Sequence, residues 1–363
     1  MSVFASSPGR GSRAGLWQYI GDIAGNGLAG KRRAAKRGPV FGIIVFSLFA
    51  VLAGLWGGLA LAVRGPQPAR RALAAGWGAL VLLALAGAWS RHWAWIAPFL
   101  PGAAALAWWW RGVRPTNDRA WQAEVSRLMS GRVEGDAMVI DNVRNFAWRG
   151  PDDFDERWET RRYDLSRLES VDMALSYWGR EAVAHTMVSF GFGRGEYLVF
   201  SVEICRKQGE KFSELGGFFR QYELSIVAAT EEDCLRVRTN VRGEDGYLYR
   251  VAMPIEAARA LLLSYVATAN RLVGAPRFYN TVTANCTTIV YRMVALIVPG
   301  MPLDYRLLLS GYLPEYLHKL GALQGSGSMA QRRAQARYTE RAKAAGPRDS
   351  YSARIRTHIR PQA

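Results

Sequence analysis

Residues 38–63 read GPVFGIIVFSLFAVLAGLWGGLALAV, 26 positions without a charge. A helix rising 1.5 Å per residue over that length exceeds the roughly 30 Å hydrocarbon core of a bilayer. Two further uncharged runs follow, 72–90 and 92–110, each of 19 residues. The third ends in Trp108, Trp109 and Trp110 beside Arg111, the pattern of an interfacial aromatic belt. Pro98 and Pro101 mark that run as kinked or re-entrant. These features predict a transmembrane anchor over 38–113 with three helices, 38–63, 72–90 and 92–110; two spans are the alternative. The first run starts too late and is too long to be a cleaved signal peptide.

A formal net charge of +17 would suit nucleic acid if it were gathered on one folded face. Its distribution says otherwise: residues 1–37 carry +6, 38–114 carry +6, 115–325 carry −2 and 326–363 carry +7. The largest segment is slightly acidic and the excess flanks the hydrophobic runs, which fits membrane topology and not a nucleic-acid groove. Seven basic residues precede the first run, predicting a cytoplasmic N-terminus over 1–37, although Arg64, Arg70 and Arg71 pull against that orientation. With three spans, residues 115–325 face the periplasm of a Gram-negative cell, and the protein is a multi-pass inner-membrane protein. Three cysteines exclude a disulfide-rich scaffold and a four-Cys zinc site, and the four histidines are far apart in sequence. No metal or other cofactor is expected.

Beyond the anchor the period of the apolar residues changes. Trp121, Val125 and Met129 recur at spacing four, predicting an amphipathic helix over 115–135. AMVIDNVRNFAW, then 182–190, 197–205 and 222–229, read as strands. Residues 254–273 predict a helix opened by Pro254, a second helix begins near Cys286, and a third, shorter one lies near 311–320. GFGRG at 191–195 lacks the Lys and the following helix of a phosphate loop and reads as a hairpin turn. After Gly325 the composition turns polar and basic, predicting a disordered tail over 326–363. The fold class is α+β: transmembrane helices followed by a single domain over 115–325.

Cys286 stands where a polar loop, YNTVTAN, gives way to the apolar helical run CTTIVYRMVALIV. A cysteine in the first helical turn feels the positive end of the macrodipole, which favours the thiolate, and the unpaired N–H groups there can hold an oxyanion. The plainer reading is a small packing residue. His185 is the one histidine between residues 93 and 317 and lies in a strand pattern; alone it reads as a structural residue. A strand histidine paired with a cysteine at a helix start is the thiol–imidazole arrangement of papain-like enzymes. Here His precedes Cys, the order of the circularly permuted branch that includes lecithin:retinol acyltransferase.

The blocks NVRNFAWRGPDDFDERWETRRYDLSRLESVDMALSYWG, AHTMVSFGF, FFRQYEL and YNTVTANCTT resemble, in order, those of the Lnb-type bacterial lipoprotein N-acyltransferases. That family joins a membrane anchor to a periplasmic, permuted papain-like domain. The resemblance covers roughly residues 135–325 and implies Cys286 as nucleophile and His185 as general base. In permuted relatives a polar residue on the next strand orients the histidine. Glu203 is the candidate here, with Ser201 and Ser189 behind it, against the reading of an exposed Glu203 paired with Arg206 or Lys207. Asn280, six residues before Cys286, or Tyr279 would supply the oxyanion donor, and Asn285 is expected to cap the helix. Arg220 and Arg238 could hold a headgroup phosphate or simply pair with Glu223 or Glu244. Cys205 and Cys234 could pair outside the cytoplasm, though nothing in the sequence favours it. The implied activity moves an acyl chain from phospholipid, through acyl-Cys286, to the N-terminal amine of a diacylglyceryl lipoprotein. The partners are thus a phospholipid donor, a lipoprotein acceptor and the membrane, with no nucleic acid. A cell-wall peptidase or amidase, or a non-enzymatic membrane scaffold, are the other readings.

Overall fold

The structure, a computed structural model, describes residues 40–346 and 350–359; the basic N-terminus expected over 1–37 lies outside them. The chain divides into two compact units, Met1–Gly112 and Val113–Ala363.

In the first unit, α1 (Val40–Arg64) and α2 (Arg70–Ser90) are long and apolar enough to cross a membrane. The third run is not one long helix. A 3-10 turn at Trp93–Trp95 precedes α3 (Phe99–Gly112), which has 14 residues and is therefore about 21 Å long. Pro98 has no N–H to give and sits at the break, so the helical ladder starts only after it. The three helices share an apolar core that includes Ala50, Trp77, Val81 and Phe99, with Trp77 stacked on Phe99 at 5.3 Å.

The second unit is a mixed α+β domain. Its strands are β1 (Ser130–Glu134), β2 (Ala137–Arg144), β3 (Ala147–Trp148), β4 (Phe154–Asp155), β5 (Trp158–Asp164), β6 (Ser170–Tyr177), β7 (Ala184–Gly191), β8 (Tyr197–Cys205), β9 (Glu223–Ala229) and β10 (Asp245–Arg250). Eight form one sheet in the order β1-β2-β9-β8-β7-β6-β10, with β5 added on β2, and β3 pairs with β4 separately. A short helix, α4 (Glu214–Phe218), precedes β9, and α5 (Glu231–Cys234) follows it, leading into a π-helical turn at Val237–Val241. Then come α6 (Ile255–Gly274), α7 (Cys286–Ile297), α8 (Leu313–Lys319), α9 (Met329–Ala336), α10 (Thr339–Lys343) and α11 (Tyr351–Ile355).

The central strands are buried on both faces, so they read as continuous apolar runs and not as clean alternation. On one face, Val188, Phe190, Phe200 and Ile226 pack under Leu261, Leu262 and Tyr265 of α6 and Ile289 and Met293 of α7. On the other, Met187, Val199 and Val227 meet Cys234, Leu235, Tyr338, Tyr351 and Ile355. Phe200 and Tyr265 stack at 4.8 Å; cutting a buried aromatic of this kind to Ala typically costs about 3–5 kcal/mol.

Two expectations fail for related reasons. Trp121, Val125 and Met129 are all buried, but Trp121 and Val125 enter the core on one face of the sheet and Met129 the core on the other. A single helix stripe cannot serve both, and residues 115–129 wind past the sheet edge with only a 3-10 turn at Ala123–Val125 before β1. The described residues of the tail, 326–346 and 350–359, pack into the domain, which does not end at 325. Arg356 is buried and ion-paired to Asp172 at 2.8 Å and to Glu231 Oε2 at 2.7 Å, with its guanidinium 3.5 Å from the centre of the Tyr197 ring. Tyr338, Tyr351, Ile355 and Arg356 are too widely spaced among polar residues for composition to reveal them as anchors.

Candidate active site

Strand register builds half of the site. Met187 on β7 pairs with Ser201 on β8, so the alternation of a pleated strand puts His185, Ser201 and Glu203 on one face at the same end of the two strands. His185 Nε2 lies 2.6 Å from Ser201 Oγ, and Ser201 Oγ donates to Glu203 Oε1 at 2.6 Å. Glu203 Oε1 is itself 3.2 Å from His185 Nε2. The carboxylate thus acts on the imidazole both directly and through the hydroxyl. This confirms neither an exposed Glu203 nor a pairing with Arg206 or Lys207.

Behind the carboxylate stands Arg238, buried on the π-helical turn. Its two terminal nitrogens reach Glu203 at 3.2 Å and Glu244 at 3.3 Å, and Glu244 in turn accepts a short bond from Ser176. A π-turn is an uncommon element that recurs at functional sites. It was not legible in the sequence, whereas the Arg238–Glu244 pair was.

The other half is the start of α7. Asn285 caps it, accepting from the N–H of Thr287 at 3.0 Å and of Thr288 at 2.8 Å, with Thr288 closing the box on the Asn285 N–H. Cys286 is therefore the first residue of a well-capped helix. Its sulfur hydrogen-bonds the His185 ring and receives the Thr186 backbone N–H.

The electrostatics follow from these contacts. Burial would lower the His185 pKa, and Arg238 pushes the same way, but Glu203 and the bonds from Cys286 and Glu203 outweigh both and raise it to about 9. Burial would raise the Cys286 pKa, yet the hydrogen bond and charge of His185 bring it below the ordinary thiol value. For Glu203, burial is outweighed by His185 and Arg238, which hold it well below the usual carboxylate range. Both shifts favour the thiolate–imidazolium form, the reactive form of a thiol nucleophile.

Cys286 and His185 open into a cleft of about 560 Å³ whose walls include Trp178, Val183, Phe212, Phe218, Tyr279 and Leu308. Tyr279 is tied by its N–H to the Tyr222 carbonyl at 3.0 Å. Burial first, then the charges of Cys286 and Glu203, raises its pKa, so the hydroxyl stays protonated as an oxyanion donor must. Gly217 lets α4 approach: a Cβ there would sit 2.3 Å from Thr281 Oγ1 and 3.2 Å from Tyr279 Cε1.

Asn280 does not join the site. Its carbonyl oxygen accepts from Val282 N, Thr283 N and Thr283 Oγ1, so the side chain folds the turn before Cys286, as Asn does in Asx turns. Arg220 lies outside the cleft walls, its guanidinium over Phe278 at 5.9 Å. Ser189 is remote from His185, donating to Glu231 at 2.6 Å. Cys205 and Cys234 are buried free thiols; burial pushes them up to about 12 and about 11. Among the described residues no cluster of three His, Cys, Asp or Glu side chains could hold a metal.

Searches among curated proteins and solved structures return no match. The family comparison does: residues 154–311, the stretch that holds His185, Glu203 and Cys286, match the model of the Lnb N-terminal periplasmic domain.

Proposed function

We propose that the protein is a membrane-bound thiol acyltransferase that N-acylates diacylated lipoproteins, using phospholipid as acyl donor. The observation that carries this reading is the Cys286 thiol beside a His185 imidazole that Ser201 and Glu203 orient, in a cleft walled by Trp178, Phe212, Phe218 and Leu308 as well as by charged side chains, in a chain with membrane-long helices. The strand-borne histidine that precedes a helix-borne cysteine supports the permuted papain-like reading of the domain.

In the first half-reaction the Cys286 sulfur attacks the carbonyl carbon of a phospholipid ester. The Tyr279 hydroxyl and the Cys286 N–H hold the oxyanion. His185 gives its proton to the departing lysophospholipid alkoxide, and acyl-Cys286 remains. In the second, the α-amine of the lipoprotein's diacylglyceryl cysteine attacks the thioester carbonyl and loses a proton to His185. The amide forms, the C–S bond breaks and the thiolate is restored. The periplasmic description of the matched domain supports a site on the outer side of the inner membrane.

The test is the intact mass of the full-length protein after incubation with phospholipid. One acyl chain should be added, removable by hydroxylamine and absent in Cys286→Ser. Expression in a Gram-negative strain depleted of its own apolipoprotein N-acyltransferase should restore triacylated lipoproteins. Lipoproteins left diacylated, with peptidoglycan fragments cleaved, would establish a peptidase instead.

A further inference from the structure

The segment between α7 and α8 carries apolar side chains that nothing in the domain covers. Leu303 is 84% exposed and Tyr305 66%, Leu308 and Leu309 are also exposed, and Leu296 near the end of α7 is 87% exposed. Buried leucines need no explanation, but a run of large apolar side chains facing outward in one short segment does. The only two charges in that run neutralise each other: Arg306 clamps Asp304 through two nitrogens at 2.8 and 2.6 Å, which also holds Asp304 below its usual range.

The segment is rigidly tied to both halves of the candidate site. At its start, the Tyr291 hydroxyl on α7 donates to the Met301 carbonyl at 2.8 Å. At its end, Ser310 Oγ donates to the Ala184 carbonyl at 2.6 Å and accepts the Ala184 N–H at 3.0 Å, one residue from His185. Gly311 is required there, because a Cβ would lie 1.9 Å from the Glu181 carbonyl. Leu308 belongs at once to the exposed run and to the wall of the cleft that holds Cys286, so the exposed apolar run reaches the cavity through that side chain.

We infer that the 303–309 segment is a membrane-seated lip. Leu303, Tyr305, Leu308 and Leu309 enter the interfacial layer of the bilayer that holds α1 and α2, and an acyl chain passes over Leu308 to Cys286. The occupant is lipid because the same chain carries helices of membrane length, the exposed run bears no unpaired charge, and it joins the cavity that the phospholipid reading assigns to an acyl ester. The inference takes that reading as its premise for the route to Cys286, but the lip's depth is measurable without it.

The experiment uses full-length protein in nanodiscs of phosphatidylethanolamine and phosphatidylglycerol, with Cys286→Ala to silence the reactive thiol. Leu303→Cys carries an environment-sensitive fluorophore in one sample. Arg194→Cys, in the turn at the far end of β7 and β8, carries it in a second. The bilayer should blue-shift the probe at 303 and doxyl-labelled lipid should quench it, while the probe at 194 behaves as in water. Equal quenching at both positions, or a 303 probe shielded from water but untouched by doxyl lipid, overturns the inference; the second result would mean that protein covers the run. In the chain with its cysteine restored, Leu303→Glu with Leu308→Glu should slow acylation of Cys286 by roughly tenfold or more while the fold is kept. Acylation at the normal rate with a water-exposed probe removes the lip and leaves the acyltransferase. A lipid-quenched probe in a protein that never acylates Cys286 does the reverse.

Discussion

Glu203→Gln isolates what the carboxylate does, because glutamine keeps the size and can still accept from Ser201 Oγ. In the native site His185 is raised to about 9 by Glu203 against two opposing influences, burial and the Arg238 charge. Removing the carboxylate charge leaves both in place. The imidazole should then fall to its free value of about 6.5 or lower, a change on the order of 3 kcal/mol in the preference for imidazolium. Cys286 depends on that imidazolium for its lowered pKa, and without it burial returns the thiol to or above its ordinary value. At pH 7 the thiolate population should drop.

The assay is alkylation of full-length protein by iodoacetamide from pH 5 to 10, read as mass added to the peptide containing Cys286. The native protein should react across the neutral range, with an acid limb where the thiolate is protonated and a change near pH 9 where His185 loses its proton. Glu203→Gln should react more slowly at pH 7, its acid limb moved toward alkaline pH and its melting transition retained. The signs also bear on stability. His185, raised when folded, adds stability that is complete below about pH 6.5 and is lost as pH climbs through about 9. Glu203, lowered when folded, adds stability present above the ordinary carboxylate pKa and lost as pH falls through its depressed value. A Glu203→Gln protein with the native alkylation rate and the native acid limb would refute the ion-pair account of the site.

Three further outcomes are expected. Tyr279→Phe should lower the rate of acyl transfer by roughly 10²–10³ if the hydroxyl holds the oxyanion, while iodoacetamide labelling of Cys286 stays normal; equal losses in both would make Tyr279 structural. Arg356→Met strips buried Glu231 of its guanidinium partner and leaves buried Asp172 to Arg250 alone, and should destabilise the domain by about 3–5 kcal/mol, seen as an earlier denaturant midpoint; an unchanged midpoint would return the C-terminal segment to the status of an appendage. A periplasm-active reporter fused after residue 325 should be active and a fusion before residue 38 inactive, which requires α3 to act as a short third crossing with local bilayer thinning; activity of both fusions would mean that only α1 and α2 span.

What could be read from the chain in advance was whatever left a local mark. Cys286 announced itself by the change from a polar loop to a helical run, with Asn285 as a ready cap. His185, β7, β8 and the hairpin at 191–195 showed through apolar patterning and glycine. Charge partition pointed to membrane flanks. The failures were long-range. Ser201 and Glu203 share a face by simple alternation, but only the pairing of β7 with β8 shows that both reach His185. Arg238 depends on a π-turn, and Asn280 was drawn away by a turn of its own. The C-terminal residues are polar on average, and their few buried anchors matter through partners more than a hundred residues away.

The position of Arg238 poses a question that the lip helps to answer. A buried cation 3.2 Å from the Glu203 carboxylate opposes the imidazolium that Glu203 supports, so it cannot be there to strengthen the base. It holds Glu203 ionised while Glu244 and Ser176 balance its own charge, and the imidazolium keeps a partner whatever the cleft contains. That matters if the cleft fills with lipid. As an acyl chain displaces water, the cost of each unpaired charge rises, and a thiolate–imidazolium pair supported only by solvent would revert to the neutral form. A fixed Arg238–Glu203 pair supplies in advance the polarity that water would otherwise provide. On the proposed reaction the same arrangement would favour an amine acceptor over hydrolysis, since water would be scarce at the thioester while a lipoprotein N-terminus anchored in the bilayer would be held at high local concentration. Arg238→Met should therefore behave differently in two settings. Water-soluble alkylating agents should still label Cys286 with the cleft hydrated, but acylation from phospholipid in nanodiscs should fall much further than labelling does. Equal losses in the two assays would show that Arg238 only packs the π-turn.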